Sequence, residues 1–210
     1  MDFHIVNNEI LVPVKCGTTY LETVYPGNFI SLGPNPSIES YSHLFNRCKD
    51  ISAIIIREPL EHLQSALHTE LLRWYNEHHN ENLSAETAIP LINNFITNEL
   101  NPFGTTHWDI NYYEHLYKFW KQYHNRIKII HISNLTDFIK QEYGIDMPHD
   151  KFSYGIPEIG IGFKYRYTTK QKLAKWIEET MPDLWNELVK DMDRANKFYN
   201  LLINKKIDLI

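Results

Sequence analysis

The segment 15–19, Lys-Cys-Gly-Thr-Thr, has the residue types needed to hold a phosphate or a sulfate group. Lys15 brings a positive charge, and Thr18 and Thr19 bring hydroxyl donors. Gly17 lets the backbone approach a ligand closely, and a helix predicted to follow would turn its first amide groups towards an anion. A surface turn with a helix cap is the alternative interpretation.

The order of residues in this segment argues against an ordinary ATPase. A Walker A loop reads G-x-x-x-x-G-K-[ST], with the lysine after the glycines. Here the lysine comes first and the loop is shorter. The segment is therefore interpreted as an anion-binding loop of another kind.

A second segment, 57–65, offers another contact for an anion directly after a strongly apolar run. The guanidinium group of Arg57 can form paired hydrogen bonds to a phosphate, and the hydroxyl of Ser65 can add a donor from the face of a predicted helix. The alternative is that Arg57 pairs with Glu58 or Glu61 and that Ser65 is a small packing residue.

Both segments follow predicted strands of one sheet. The run Ile51–Ile56 does not alternate between apolar and polar residues, as expected of a parallel strand that is buried on both faces. Further strands are predicted at 3–6, 9–14, 29–32 and 127–132, with a turn at 7–8. Predicted helices cover about 18–25, 37–48, 60–74, 84–100, 112–123, 134–143, 169–180 and 182–204.

Alternation of strands and helices predicts an α/β fold, with a central parallel sheet flanked by helices. With 210 residues, the chain is expected to form a single domain spanning 1–210. In such sheets ligands bind at the carboxyl ends of the strands. Both polar segments are expected to lie at that edge of the sheet.

Composition narrows the functional classes. Hydrophobic residues make up 43% of the chain, which is enough for a substantial core, and the net charge of −5 argues against a nucleic-acid partner. The two cysteines, Cys16 and Cys48, are too few for a disulfide framework and fit a reducing compartment. Because the sequence shows no secretory signal and no run of about 18 apolar residues, we expect a cytoplasmic location without membrane insertion.

Taken as an ordered pair, the two segments resemble the nucleotide-binding motifs of sulfotransferases that use 3′-phosphoadenosine 5′-phosphosulfate (PAPS). Segment 15–19 is similar to the 5′-phosphosulfate loop of this family, and segment 54–65 is similar to its 3′-phosphate motif, R-x-P-x-x-R-x-x-S after an apolar strand. Segments 106–108 and 128–135 are similar to later parts of the carbohydrate-type branch. The chain departs from the pattern at His62, which replaces the second arginine, and at Asn134, which stands where a glutamate is common.

The resemblance implies a P-loop-NTPase-like three-layer fold and transfer of a sulfuryl group from PAPS to an acceptor hydroxyl, possibly on a carbohydrate, without a metal. The product nucleotide would be 3′-phosphoadenosine 5′-phosphate (PAP). A late loop closes over the nucleotide in the family. The nucleotide-binding residues implied in this chain are Lys15, Cys16, Gly17, Thr18, Thr19, Arg57, Ser65, Lys164, Tyr165 and Arg166.

Catalysis would require charge stabilisation on the leaving phosphate, a role that suits Lys15, and a base for the acceptor hydroxyl. His43 is the first candidate for the base, His107 the second and Glu22 the third. For each of them, a solvated or packing residue is the alternative interpretation.

Two other functions stay open. A nucleotide or small-molecule kinase would need a lysine after the glycines and a magnesium-binding aspartate after a strand, and neither is evident. A nucleotide-binding module without catalysis is the other. The sequence has no H-E-x-x-H motif and no paired C-x-x-C motif, so no metal site is predicted.

Overall fold

The structure of the chain is a computed structural model, and it describes residues 2–34, 50–78, 90, 94, 110, 112–147 and 170–206. Five strands form one sheet in the order β3-β1-β2-β4-β5. The strands are β1 (Asp2–Val6), β2 (Ile10–Pro13), β3 (Phe29–Pro34), β4 (Ala53–Ile56) and β5 (Lys128–His131).

The sheet is mixed. Strands β2, β4 and β5 are parallel neighbours, whereas β1 pairs antiparallel with both β2 and β3. The predicted parallel sheet is therefore wrong for β1 and β3. The physical reason is the short turn between β1 and β2, because only antiparallel strands can be joined by a tight hairpin. Asn7 and Asn8 adopt positive φ angles of 50° and 60° in that turn, which confirms the predicted hairpin.

Helices flank the sheet, which confirms the α/β class. They are α1 (Thr18–Val24), α2 (Pro59–His78), α3 (Tyr112–Tyr123), α4 (Leu135–Tyr143), α5 (Lys170–Thr180), α6 (Pro182–Val189) and α7 (Met192–Ile203). A single 3-10 turn, Ile132–Asn134, joins β5 to α4. The helices predicted at 37–48 and 84–100 lie outside the described residues, except for positions 90 and 94, which are helical.

The single helix predicted for 182–204 is wrong, because α6 ends at Val189 and α7 begins at Met192. Asp191 is the residue that precedes α7, and its carbonyl accepts the backbone N–H of Ala195. Aspartate favours such helix-capping positions over helix interiors. The apolar stripe along this segment therefore continues across a break in the backbone.

The apolar core lies on both faces of the sheet. On one face Ile54 and Ile56 pack in a cluster with residues of α3 and α7, including Leu116 and Phe198. On the opposite face Ala53 and Ile55 pack with residues of α1 and α4. Because successive side chains of a strand point to opposite faces, burial on both sides explains why β4 is uninterrupted by polar residues.

Candidate functional site

The turn after β2 forms the first part of the candidate site. The backbone N–H of Cys16 donates to the carbonyl of Pro13 over 3.1 Å, which closes the turn. Lys15 and Gly17 both adopt left-handed conformations, with φ angles of 68° and 96°. Gly17 then caps α1, and its carbonyl accepts the N–H of Leu21. Strand, tight turn and helix follow one another as the sequence predicted.

Gly17 occupies a position that excludes a side chain. A Cβ atom there would lie 2.6 Å from Cδ2 of Leu135 and 3.8 Å from Cδ1 of Ile132. The backbone of the turn is therefore pressed against the connection between β5 and α4. Both the positive φ angle and the close approach require glycine.

Cys16 points into the interior, towards α2 and α3. Its Sγ atom lies 3.6 Å from Nδ1 of His62, and the hydroxyl of Tyr112 lies 3.2 Å from the same nitrogen. Cys16 and His62 are both 0% exposed. Burial raises the pKa of Cys16 to about 11, although the positive charge of Arg57 lowers it in part. The thiol is protonated at neutral pH, so a ligand in this turn would meet the backbone of Cys16 and not its sulfur.

His62, which replaces the second arginine of the motif, is closed off from solvent by these contacts. It connects the turn after β2 with α3, and its backbone N–H donates to the carbonyl of Glu58 within α2. The structure therefore places this imidazole in the interior and not at the surface where a phosphate would bind.

Arg57 directly follows β4, the parallel neighbour of β2. Its carbonyl accepts a hydrogen bond from the hydroxyl of Tyr113, which holds the backbone at this point. The side chain is half-buried, and its Nε atom is buried without a hydrogen-bond partner among the residues that the structure describes. Glu58 does not serve as that partner, because its Oε2 accepts the backbone N–H of Glu61 over 2.8 Å.

Ser65 lies further along α2 and is half-buried. Its carbonyl accepts a hydrogen bond of 2.9 Å from the hydroxyl of Thr69. The two neighbouring positions, Ala66 and Leu67, are fully buried. Ser65 is therefore at the border between the apolar core and the surface of α2.

Lys170 is a basic residue near Arg57 that the sequence interpretation did not select. It is the first residue of α5, and it is half-buried. Burial lowers its pKa, the charge of Arg57 lowers it further, and Glu61 opposes both effects. The predicted helix at 169–180 was the available signal, because its first residues include a lysine.

His131 is a second residue without a predicted role, and it ends β5 at the same edge of the sheet. Its Nδ1 atom lies 2.7 Å from Oγ of Ser133 and accepts the backbone N–H of Ser133 over 3.2 Å. Tyr199 packs edge-on against both His131 and Tyr113, with ring centroids 6.4 and 6.0 Å apart. The ends of β4 and β5 are thus joined by aromatic contacts.

Several predicted site residues lie outside the described residues: His43, His107, Lys164, Tyr165 and Arg166. Glu22 is described, and it is exposed on α1. Thr18 and Thr19 are half-buried at the start of α1, and the carbonyl of Thr19 accepts a hydrogen bond from Thr23. Within the described ranges, no group of three or more histidine, cysteine, aspartate or glutamate residues could hold a metal ion.

The chain matches no protein-family model, and no curated protein or solved structure is significantly similar to it. In the part of the chain that the structure describes, no helix is long and apolar enough to cross a membrane.

Proposed function

We propose that this chain is a sulfotransferase that moves a sulfuryl group from PAPS to a hydroxyl group of a carbohydrate or small-molecule acceptor. The observation that carries the proposal is the joint position of the Lys15–Gly17 turn and Arg57. They follow neighbouring parallel strands, and the charge of Arg57 acts on the thiol of Cys16. Two basic groups at one sheet edge suit a nucleotide that is phosphorylated at both ends.

The same observations support a P-loop-NTPase-like three-layer arrangement as the fold. A tight turn with left-handed residues connects β2 to α1, and apolar clusters join helices to both faces of the sheet. The order of the lysine and the glycine sets this turn apart from a Walker A loop.

The residues present fit the proposed donor. The turn at Gly17 offers backbone without a side chain in the way, and Lys15 stands beside it for the 5′-phosphosulfate. The buried Nε atom of Arg57 needs an acceptor, and a 3′-phosphate oxygen would provide one. Ser65 would add a hydroxyl donor from α2.

In the proposed reaction an acceptor oxygen attacks the sulfur atom of PAPS. The new S–O bond forms as the bridging bond to the 5′-phosphate breaks, and the electron pair stays on that phosphate. Lys15 would stabilise this charge, as in phosphoryl transfer. The acceptor proton would pass to a base, for which His43, His107 and Glu22 are the candidates.

Thermal unfolding with nucleotides tests the donor. We expect PAP at about 100 times its Kd to stabilise the fold by about 2.7 kcal/mol, and ATP with magnesium to raise the Tm much less. A larger shift with ATP and magnesium would favour a kinase, and no shift with PAP would contradict the sulfotransferase proposal.

Replacement of Lys15 tests the catalytic part. Lys15→Ala should abolish transfer of labelled sulfate from PAPS while the far-ultraviolet circular dichroism spectrum is retained. Lys175→Ala is the matched control, because Lys175 is exposed and its ammonium group contacts Glu179 on the same helix at 3.6 Å. Full activity of Lys15→Ala would show that the turn is not the phosphosulfate loop.

A further inference from the structure

Two basic side chains meet where α5 packs against α2. Arg57 stands one residue before the Glu58 cap of α2, and Lys170 is the first residue of α5. Both side chains are half-buried. Their positive charges are close enough for Arg57 to lower the pKa of Lys170, as burial also does.

This placement is unfavourable for the protein alone. A cation at the first residue of a helix opposes the helix dipole, and withdrawal of an ammonium group from water carries a further penalty. The buried Nε of Arg57 adds a donor that lacks a hydrogen-bond acceptor among the described residues. Glu61 offsets part of the repulsion, but its side chain is exposed.

Other nearby groups do not relieve it. His62 is fully buried against Cys16 and Tyr112, and Glu58 accepts the N–H of Glu61. A tetrahedral dianion would satisfy all three unfavourable terms together. It would accept from Arg57 and Lys170, and it would also lie at the positive end of α5.

We propose that Lys170 and Arg57 jointly bind a phosphomonoester group, the 3′-phosphate of the donor nucleotide. This inference rests on the proposed function. A phosphomonoester carries a charge of about −1.5 to −2 at neutral pH, which matches two adjacent cations better than a single carboxylate does. Lys170 thereby supplies the second positive charge of the phosphate site.

Calorimetric titration with two probes isolates the 3′-phosphate. PAP carries phosphates at both ends, whereas adenosine 5′-phosphate lacks the 3′ group. We expect Lys170→Gln to weaken PAP binding by about 10- to 100-fold, the effect of one charge-assisted hydrogen bond. Binding of adenosine 5′-phosphate should change by less than about threefold on the same scale.

Two further variants serve as controls. Lys175→Gln removes the same charge from an exposed position of α5, and it should leave binding of both probes unchanged. Lys170→Arg keeps the charge and should retain most of the PAP affinity, which separates loss of charge from damage to α5.

The outcomes distinguish the two proposals. If the unmodified protein binds PAP and Lys170→Gln binds it equally well, the assignment of Lys170 is overturned and the sulfotransferase proposal stands. Equal losses for PAP and adenosine 5′-phosphate would also overturn it, because the effect would not depend on the 3′-phosphate. If the unmodified protein does not bind PAP, both proposals fail.

Discussion

At the scale of residues, His62 shows how one substitution changes the role of a motif position. The family motif has an arginine there, but in this chain the imidazole is 0% exposed and contacts Cys16 and Tyr112. It connects the anion loop with α3. The position therefore belongs to the interior of this protein, and the surface charge must come from elsewhere.

A counterintuitive prediction follows for His62→Arg. Restoring the arginine of the family should destabilise the fold by about 3–5 kcal/mol, because a buried charge without a partner would stand close to Arg57. Leu60→Arg, two residues earlier and 37% exposed, is the control and should change the free energy of unfolding by about 0.5 kcal/mol or less. Urea denaturation measures both, and a stable His62→Arg variant with tighter PAP binding would contradict the burial of this position.

The sequence indicated Lys15 and Arg57 because each follows a recognisable strand. The burial of His62 could not be predicted in the same way, since Tyr112 is 50 residues away along the chain. Lys170 was missed for a related reason. Its proximity to Arg57 depends on the packing of α5 against α2, which local patterns do not contain.

At the scale of elements, the turn between β2 and α1 is fixed by one close approach. Gly17→Ala would require a positive φ angle, which alone is unfavourable by about 1–2 kcal/mol, and would place a methyl group 2.6 Å from Leu135. Overpacking of this kind adds about 1–3 kcal/mol. Gly17→Ala should therefore unfold at lower urea concentration and bind PAP more weakly.

Gly27→Ala is the matched control for this prediction. Gly27 has a similar φ angle of 83°, but a Cβ atom added there would meet no heavy atom within 4 Å. The difference in unfolding free energy between the two variants isolates the contact with Leu135. Equal destabilisation would show that the turn is not pressed against α4.

The strands β4 and β5 and the helix α3 were predictable because their apolar patterns are local and strong. The break between α6 and α7 was not, because the apolar stripe runs through it. The direction of β1 relative to the rest of the sheet depends on the two-residue turn at Asn7 and Asn8, and the length of that turn was visible in the sequence.

At the scale of the whole molecule, burial of tyrosine hydroxyl groups determines the response to alkaline pH. Burial raises the pKa of six tyrosines in the described part of the chain, and in Tyr143 the value reaches about 12. The six are Tyr20, Tyr25, Tyr112, Tyr113, Tyr143 and Tyr199. The fold therefore favours the protonated form of each.

The sign of the effect follows by linkage. An unfolded tyrosine ionises near pH 10, so the contribution of these groups is fully present below that pH and is lost as the pH rises towards 12. We expect tyrosinate absorbance to rise together with the loss of circular dichroism. Ionisation of nearly all 13 tyrosines near pH 10 with helical signal retained would contradict this prediction.

The buried position of Cys16 also gives the protein a built-in clock for motion of the anion loop. A shielded thiol with a pKa raised to about 11 reacts with an alkylating reagent only when the loop opens. In a Cys48→Ser variant, the alkylation rate would therefore report the opening frequency of this turn directly. A nucleotide that holds the loop closed would slow the clock without any need for an acceptor or for turnover.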